Sequence, residues 1–265
     1  MTLTTSAMRL NIEVDHNWLL FIAQIGNGDL SMVDFSGYCT IHYDRTSFME
    51  IIFPDLYSPA PNNAIISPLN DSAGEMNNWL TESAPGGSTY YTSINTPVQD
   101  EDYSHLPVEF LNTLDLSCMP PHILRLKIGT PIIALRSIDK PVLQNGTRCI
   151  VTRCHSNVIE ASVAAGPYKG RVVFIPRITL VPSDASNPIV FKRKQFPVRP
   201  AYAITINKSQ GQSLERVGVD LTSPCFTHGQ LYVALTRVTN PDNLHILLPE
   251  GITTTPNIVY QECLI

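Results

Sequence analysis

No Gly-x-x-x-x-Gly-Lys-Ser/Thr run occurs anywhere in the 265 residues, and no apolar strand ends in paired carboxylates. The sequence thus holds neither a P-loop to cradle phosphates nor the carboxylates that accompany one to hold magnesium. Also missing are a Gly-x-Ser-x-Gly elbow, a His-Glu-x-x-His site and an EF-hand loop, the usual marks of a serine nucleophile, a zinc protease and a calcium switch. Charged residues are scarce, at 15%. No apolar run reaches the ~18 residues that crossing a bilayer requires, and no secretory signal is seen. The six cysteines are scattered. Cys149 and Cys154, beside His155, have no second pair at zinc-finger distance, so no metal site is expected. Free thiols and no export signal predict an intracellular protein with no membrane partner.

What is present is a globular composition with an uneven charge. Hydrophobic residues make up 43% of the chain, and 21 prolines against 14 glycines suggest many short strands and turns. Residues 1–118 hold only two cations, Arg9 and Arg45, against fifteen Asp and Glu. Residues 119–265 hold sixteen cations against eight acids. A nucleic-acid partner therefore suits the second part of the chain and not the first. Two ordinary surfaces of opposite sign are the plainer explanation.

Residues 16–25 have the spacing of an amphipathic helix, and Gly26-Asn27-Gly28 supplies a left-handed cap, so that Gly-x-Gly ends a helix and is not a phosphate loop. Ala64–Ser67 reads as a buried strand. Ser72-x-x-Glu75 reads as a capping box opening a helix to about Ser83. Residues 84–106, rich in Gly, Ser, Thr and Pro, read as an exposed connection. From Leu126 five short β-rich runs follow, Thr130–Leu135, Thr147–Arg153, Val158–Val163, Arg171–Ile175 and Ile189–Phe191, which suggest a small barrel or sandwich. After Pro200 the texture turns back to α/β, with strands at 203–206, 217–221 and 245–248 and a helix over 227–238. The expected fold is α/β with an inserted small β-barrel, divided at residues 1–126, 127–196 and 197–265.

Three stretches could carry chemistry. Strand 203–206 ends in a polar turn, Asn207-Lys208-Ser209-Gln210-Gly211-Gln212, at the kind of strand end where α/β sheets take ligands. Gly211 lets backbone amides approach an anion and Lys208 supplies charge, although a plain β–α turn has the same composition. Arg237 closes a helix whose Leu231, Ala234, Leu235 and Val238 make an apolar stripe; it is either a solvated helix-end cation or a finger aimed at a phosphate. Lys192-Arg193-Lys194, with Phe196 and Arg199, could grip a phosphate backbone and stack a base, or could guard a sheet edge.

Several of these residues also carry a resemblance. Ala203-Ile204-Thr205-Ile206-Asn207-Lys208-Ser209-Gln210-Gly211-Gln212-Ser213-Leu214 resembles helicase motif V of the Pif family, in its Helitron-like branch, and Gly229-Gln230-Leu231-Tyr232-Val233-Ala234-Leu235-Thr236-Arg237-Val238 resembles motif VI. Leu126–Arg136 and Asn145-Gly146-Thr147-Arg148 are similar to the entry of that family's inserted barrel. Phe174–Ile178 and Phe191–Pro197 are similar to its later strands, and Glu109-Phe110-Leu111-Asn112 to the segment before it. Ala64–Asn70 is similar to an early strand of the second RecA-like domain, and Ser6-Ala7-Met8-Arg9 to the motif IV arginine site. The resemblance implies the C-terminal half of an ATP-dependent, 5′-to-3′ DNA helicase: a second RecA-like domain with the barrel inserted. It implies that Arg237 and Arg9 reach the nucleotide's γ-phosphate and that Gln210, Gly211 and Gln212 border the nucleotide. It further implies that Asn70, Asn207, Lys208, Ser209, Lys192, Arg193 and Lys194 meet single-stranded DNA. ATP and Mg2+ serve the intact family, while this chain alone is expected to bind neither. The missing first RecA-like domain could come from another chain, and a non-catalytic nucleic-acid-binding remnant is the alternative reading. A nuclear location and roles in DNA repair, recombination and telomere maintenance come with the resemblance. Asn207 stands where many relatives have His.

Overall fold

The computed structural model describes residues 16–56, 62–97, 107–116, 118–182 and 189–264. Two compact units divide the chain, one made of Met1–Pro54, Asn62–Met76 and Ala203–Ile265, the other of Asp55–Pro61 and Asn77–Tyr202. The second unit thus takes in residues 77–126 along with the segment that follows them.

The first unit is built on a five-stranded sheet in the spatial order Ala203–Thr205, Ala64–Ser67, Val217–Asp220, Leu244–Leu247, Thr40–His42, with every neighbouring pair parallel. Ala64–Ser67 and Val217–Asp220 are buried along their whole length. Continuous apolar strands are what a parallel sheet covered on both faces requires. Gly218 has a packing reason: a Cβ there would lie 2.5 Å from the Phe48 ring and 2.9 Å from Ile52, both on helix Arg45–Ile52. Asp44 caps that helix by accepting from the Ser47 amide at 2.7 Å.

Helix His16–Asn27 buries Trp18, Phe21, Ile22 and Ile25, a stripe of helical period. Its end matches the expected glycine cap. Gly28 has φ +75°, its amide donates to Ile25, and the Asp29 amide donates to Gln24. Helix Asn70–Ser83 starts two residues before Ser72, so the expected capping box does not form; Glu75 instead pairs with Arg45 at 2.8 Å. The motif VI helix is shorter than its spacing suggests, Gln230–Leu235, because Gly229 adopts φ +66° just before it and the cap at Thr236 ends it.

The second unit is antiparallel. Its larger sheet has the order Val172–Pro176, Val158–Val163, Arg148–Cys154, Pro131–Ala134, Val198–Pro200. Among the described residues the outer strands of this sheet do not pair with each other, so it is an open sheet and not a closed barrel. Its core includes Leu124, Ile132, Val151, Ile159, Ile175 and Phe196. The run expected at 189–191 is the strand Phe191–Gln195. It belongs to a separate three-stranded sheet, between Ile178–Leu180 and Ile94–Pro97. The stretch expected to be an exposed connection also holds strand Thr89–Thr92, paired with Ile123–Leu126. Its acidic run, residues 100–102, lies outside the described residues. Lys127 is buried, and its ammonium donates to the Glu82 and Ala84 carbonyls, closing the end of helix Asn70–Ser83. No described helix is long and apolar enough to cross a membrane.

Candidate functional site

Because the sheet of the first unit is parallel, the segments that follow its strands leave from one edge. Thr205 is level with Ser67, so the turn Ile206–Ser209 and the start of helix Asn70–Ser83 emerge side by side. Strand Ala64–Ser67 continues in the chain toward one side of the sheet and its neighbour Val217–Asp220 toward the other. Such a reversal opens a crevice beyond the strand ends, the usual ligand site of open α/β sheets.

At this edge Asn70, Asn207, Gln210 and Gly211 are exposed, and Lys208 and Gln212 are half-buried. Internal bonds shape the loop. Ser209 Oγ donates to the Ile206 carbonyl at 2.6 Å, the Gln212 amide to Ser209 at 3.0 Å, and Gln212 Nε2 to Lys208 at 2.9 Å. Gly211 has φ +75°, and no atom stands within 4 Å of the place a Cβ would take. Its backbone is therefore both left-handed and open to an approaching ligand.

Arg237 ties this loop to the motif VI helix. Its Nε donates to the Val233 carbonyl at 2.8 Å, Nη1 to Gln212 at 3.2 Å and Ser209 at 3.4 Å, and Nη2 to Thr236 Oγ1 at 2.9 Å. The Leu214 amide donates to the Arg237 carbonyl at 3.0 Å. Burial lowers the pKa of the guanidinium, and the nearby Tyr232 raises it. Arg237 thus grips its own loop and is not the loosely held surface arginine that its helix spacing suggests.

Two expected DNA contacts do not survive as surface groups. Ser209 is fully buried with its hydroxyl committed to Ile206. Arg193, in the second unit, is fully buried too. Its Nε donates to Asn95 Oδ1 at 2.9 Å, and its other nitrogens donate to the Leu111, Leu114 and Pro120 carbonyls at 2.8, 3.1 and 3.0 Å. Strand alternation explains this: with Phe191 and Gln195 facing in, Arg193 must face in, and Lys192 and Lys194 face out. Phe196 is buried in the core and offers no ring to a base, and Arg199 is committed to Met119, Leu116 and Asp115. Arg9 lies outside the described residues. Lys192 and Lys194 belong to the second unit and Asn70, Asn207, Lys208, Gln210–Gln212 and Arg237 to the first.

Asp220 is a residue that the sequence reading passed over. It ends a central strand at the same edge, fully buried. Its Oδ1 accepts from the Thr222 amide at 3.1 Å and hydroxyl at 2.6 Å, and its Oδ2 has no hydrogen-bond partner among the described residues. The Asp-x-Thr turn after an apolar strand was the available signal. Cys149 is a core residue, and burial pushes its thiol up to about 12. No group of three or more His, Cys, Asp or Glu side chains suited to a metal ion gathers among the described residues.

Residues 109–154 match the family model described as DNA helicase Pif1, 2B domain. Over 244 residues the chain is 27% identical to an ATP-dependent DNA helicase Pif1 of Bdellovibrio bacteriovorus, an alignment covering 85% of this chain and 54% of that protein. The chain is thus similar to Pif1-type DNA helicases. Other Pif1 relatives match over shorter stretches: 58% identity over 52 residues to that of Campylobacter jejuni, covering 20% of this chain and 11% of that one, and 29% over 161 residues to human PIF1, covering 57% and 24%. Among solved structures, Pif1 from Bacteroides in complex with ADP-AlF3 and ssDNA superposes with a TM-score of 0.61 at 22% identity, covering 94% of this chain and 52% of that one. Pif1 from Candida albicans gives 0.59 at 20% identity, covering 88% and 53%. These likenesses show a shared mixed α/β fold with the RecA-like domains of Pif1 helicases. The chain spans about half the length of the Bdellovibrio protein and of both solved chains.

Proposed function

We propose that this chain supplies the DNA-gripping and nucleotide-sensing part of an ATP-dependent DNA helicase that moves 5′ to 3′, as its second RecA-like domain. The observation that carries this reading is the junction at Arg237, where one side chain fastens the motif VI helix to the carbonyls of the motif V loop. One side chain shared by the two segments suits the coupling of a nucleotide site to a DNA site. Asn70, Asn207 and Lys208 are assigned to single-stranded DNA, with Lys192 and Lys194 from the second unit. Gln210, Gly211, Gln212 and Arg237 are assigned to the nucleotide, with Arg9 assisting. The second unit is proposed to be the family's inserted barrel-type domain in an open form, and a nuclear location accompanies the assignment.

ATP and magnesium are proposed for the complete helicase. The residues here fit a phosphate, since Gly211 opens the backbone and Arg237 supplies charge. They do not fit a magnesium ion, for which no set of carboxylates converges among the described residues. Those ligands are assigned to a first RecA-like domain, in the same protein or on another chain. When bound, ATP supplies the phosphoryl group; Arg237 stabilises charge that develops on it once freed from the loop carbonyls it now holds.

The test is DNA-stimulated ATP turnover of this chain joined to a first RecA-like domain of a Pif1 relative. Arg237→Ala is expected to lower turnover by about 10³-fold or more. Unchanged turnover with a large loss of stability sinks the assignment.

A further inference from the structure

The five-stranded antiparallel sheet of the second unit ends in strand Val172–Pro176. That strand pairs with Val158–Val163 on one side and has no strand on its other side among the described residues. The pairing fixes which backbone groups are free. The Val163 amide donates to the Arg171 carbonyl at 2.9 Å. Along an antiparallel strand, alternate residues turn their N–H and C=O to opposite sides, so Val173 and Ile175 also bond to the inner neighbour. The amides of Val172 and Phe174 and the carbonyls of Val172, Phe174 and Pro176 then face the open side. Pro176 fits this place, because the N–H it lacks would point away from the sheet.

Side chains alternate as well. Val173 and Ile175 enter the core, whereas Val172 is 49% and Phe174 61% exposed. Open edges are commonly blunted by a charge, an internal proline or a bulge. Val172–Ile175 has no charge and no proline, and its register with Val158–Val163 runs without a shift. Charge beside the edge is of one sign. Between Glu160 and Asp184 the chain holds Lys169, Arg171 and Arg177 and no acid, and Lys169 and Arg171 are exposed. Glu160, opposite Phe174, is committed to Thr152 Oγ1 at 2.8 Å and Arg153 at 3.8 Å. A second copy of this strand, paired antiparallel about Phe174, would bring Arg171 opposite Arg177, and like charges so placed repel.

We propose that the open edge of Val172–Pro176 takes an extended peptide of a partner protein as a sixth strand, apolar where it meets Val172 and Phe174 and acidic where it meets Lys169 and Arg171. A peptide backbone offers donors and acceptors at the spacing of the free groups, so main-chain pairing supplies affinity and the side chains supply choice. The cations favour an acidic peptide over a second copy, and the row of free amides and carbonyls favours a peptide over a nucleic acid. The docking site is independent of the DNA and nucleotide assignments above.

The experiment titrates the full chain with an end-blocked fluorescent peptide, Asp-Glu-Val-Thr-Val-Thr-Val-Asp-Glu. Two control peptides carry lysine in place of the acids or N-methyl groups on the valines, which remove the donors that would face the edge. The acidic peptide is expected to bind about 10-fold or more tightly than either control. Amide hydrogen exchange is expected to slow at Val172 and Phe174 when it binds, while Val173 and Ile175 are slow throughout. Val172→Pro removes one free donor and no bond to the inner strand, and is expected to weaken binding about 10-fold. Lys169→Glu/Arg171→Glu is expected to reverse the preference between the acidic and lysine peptides. Thermal melting of each variant separates lost contacts from lost fold. No binding of the acidic peptide, or binding without slower exchange at Val172 and Phe174, overturns the proposal. Self-association of the chain that Val172→Pro abolishes assigns the edge to a second copy and overturns it too, as does displacement of the peptide by oligodeoxythymidylate with the same two amides protected.

Discussion

Arg193 and Arg237 both donate to main-chain carbonyls, yet the two units use them differently. In the antiparallel unit Arg193 is sealed from water and spends its bonds on Asn95 and the carbonyls of Leu111, Leu114 and Pro120. In the parallel unit Arg237 is half-buried, and two of its acceptors belong to a loop open to solvent. The first arginine is part of a fold that only unfolding can release. The second fastens an exposed loop to the helix that carries it. A cation in a recognisable motif therefore says little until its burial is known.

The sharpest way to break this contrast is Arg193→Ala. It leaves three carbonyls and Asn95 without their donor in a dry interior, where each unmet group costs about 1–3 kcal/mol. A loss of about 3 kcal/mol or more is expected in urea unfolding. A loss below 1 kcal/mol shows that water or relaxation fills the site and that Arg193 is less sealed than its burial implies.

Acid should weaken the parallel unit at another place. His245 Nδ1 lies 3.1 Å from His42 Nε2 on the neighbouring strand. Burial, then His42 and Arg216, hold His245 down to about 4, and burial lowers His42 as well. The unfolded chain takes up protons near the ordinary value of 6.5, the folded chain only near 4. Stability present above pH 6.5 is therefore lost as pH falls toward 4. Screening of these half-exposed rings limits the loss to about 1–2 kcal/mol. Denaturant melts at neutral and acid pH measure it, and His245→Gln should flatten the difference.

Arg237→Ala is expected to cost about 1 kcal/mol of stability, less than Arg193→Ala and more than the ~0.5 kcal/mol of an ordinary surface site. Equal losses at the two arginines would erase the distinction between them. The smallest effect belongs to Lys192→Ala/Lys194→Ala, with stability unchanged within about 0.5 kcal/mol by thermal melting.

Much of the parallel unit was legible because its strands are buried on both faces. Ala64–Ser67 and Val217–Asp220 are unbroken runs of small and apolar residues ending in one polar group, and helix His16–Asn27 has a clean stripe and a terminal glycine. The polar loop at 207–212 was legible as a loop for the same reason. Strand 89–97 was not. Its inward residues, Ser93 and Asn95, are polar and satisfied by His122, Asn112 and Arg193, so its two-residue period carries no hydrophobic signal. Its partner strand lies on the order of a hundred residues away in the chain. Arg193 and Ser209 were misjudged because residue type alone puts Arg and Ser on the surface, and only the three-dimensional supply of acceptors makes burying them tolerable. The capping box failed because Ser67-Pro68-Leu69 turns early enough for the helix to begin at Asn70.

Strands Ala64–Ser67 and Ala203–Thr205 lie side by side in the sheet, with Asn77–Tyr202 of the antiparallel unit strung between them. Closing so long a loop in an unstructured chain is entropically unfavourable and slow. Once the intervening stretch has folded, its two ends are held at fixed points and the loop to be closed is short. During synthesis the antiparallel unit also emerges before Ala203 exists. Assembly of the parallel sheet should thus wait on that unit, and a mutation that weakens Arg193 should slow the appearance of the loop at 206–212.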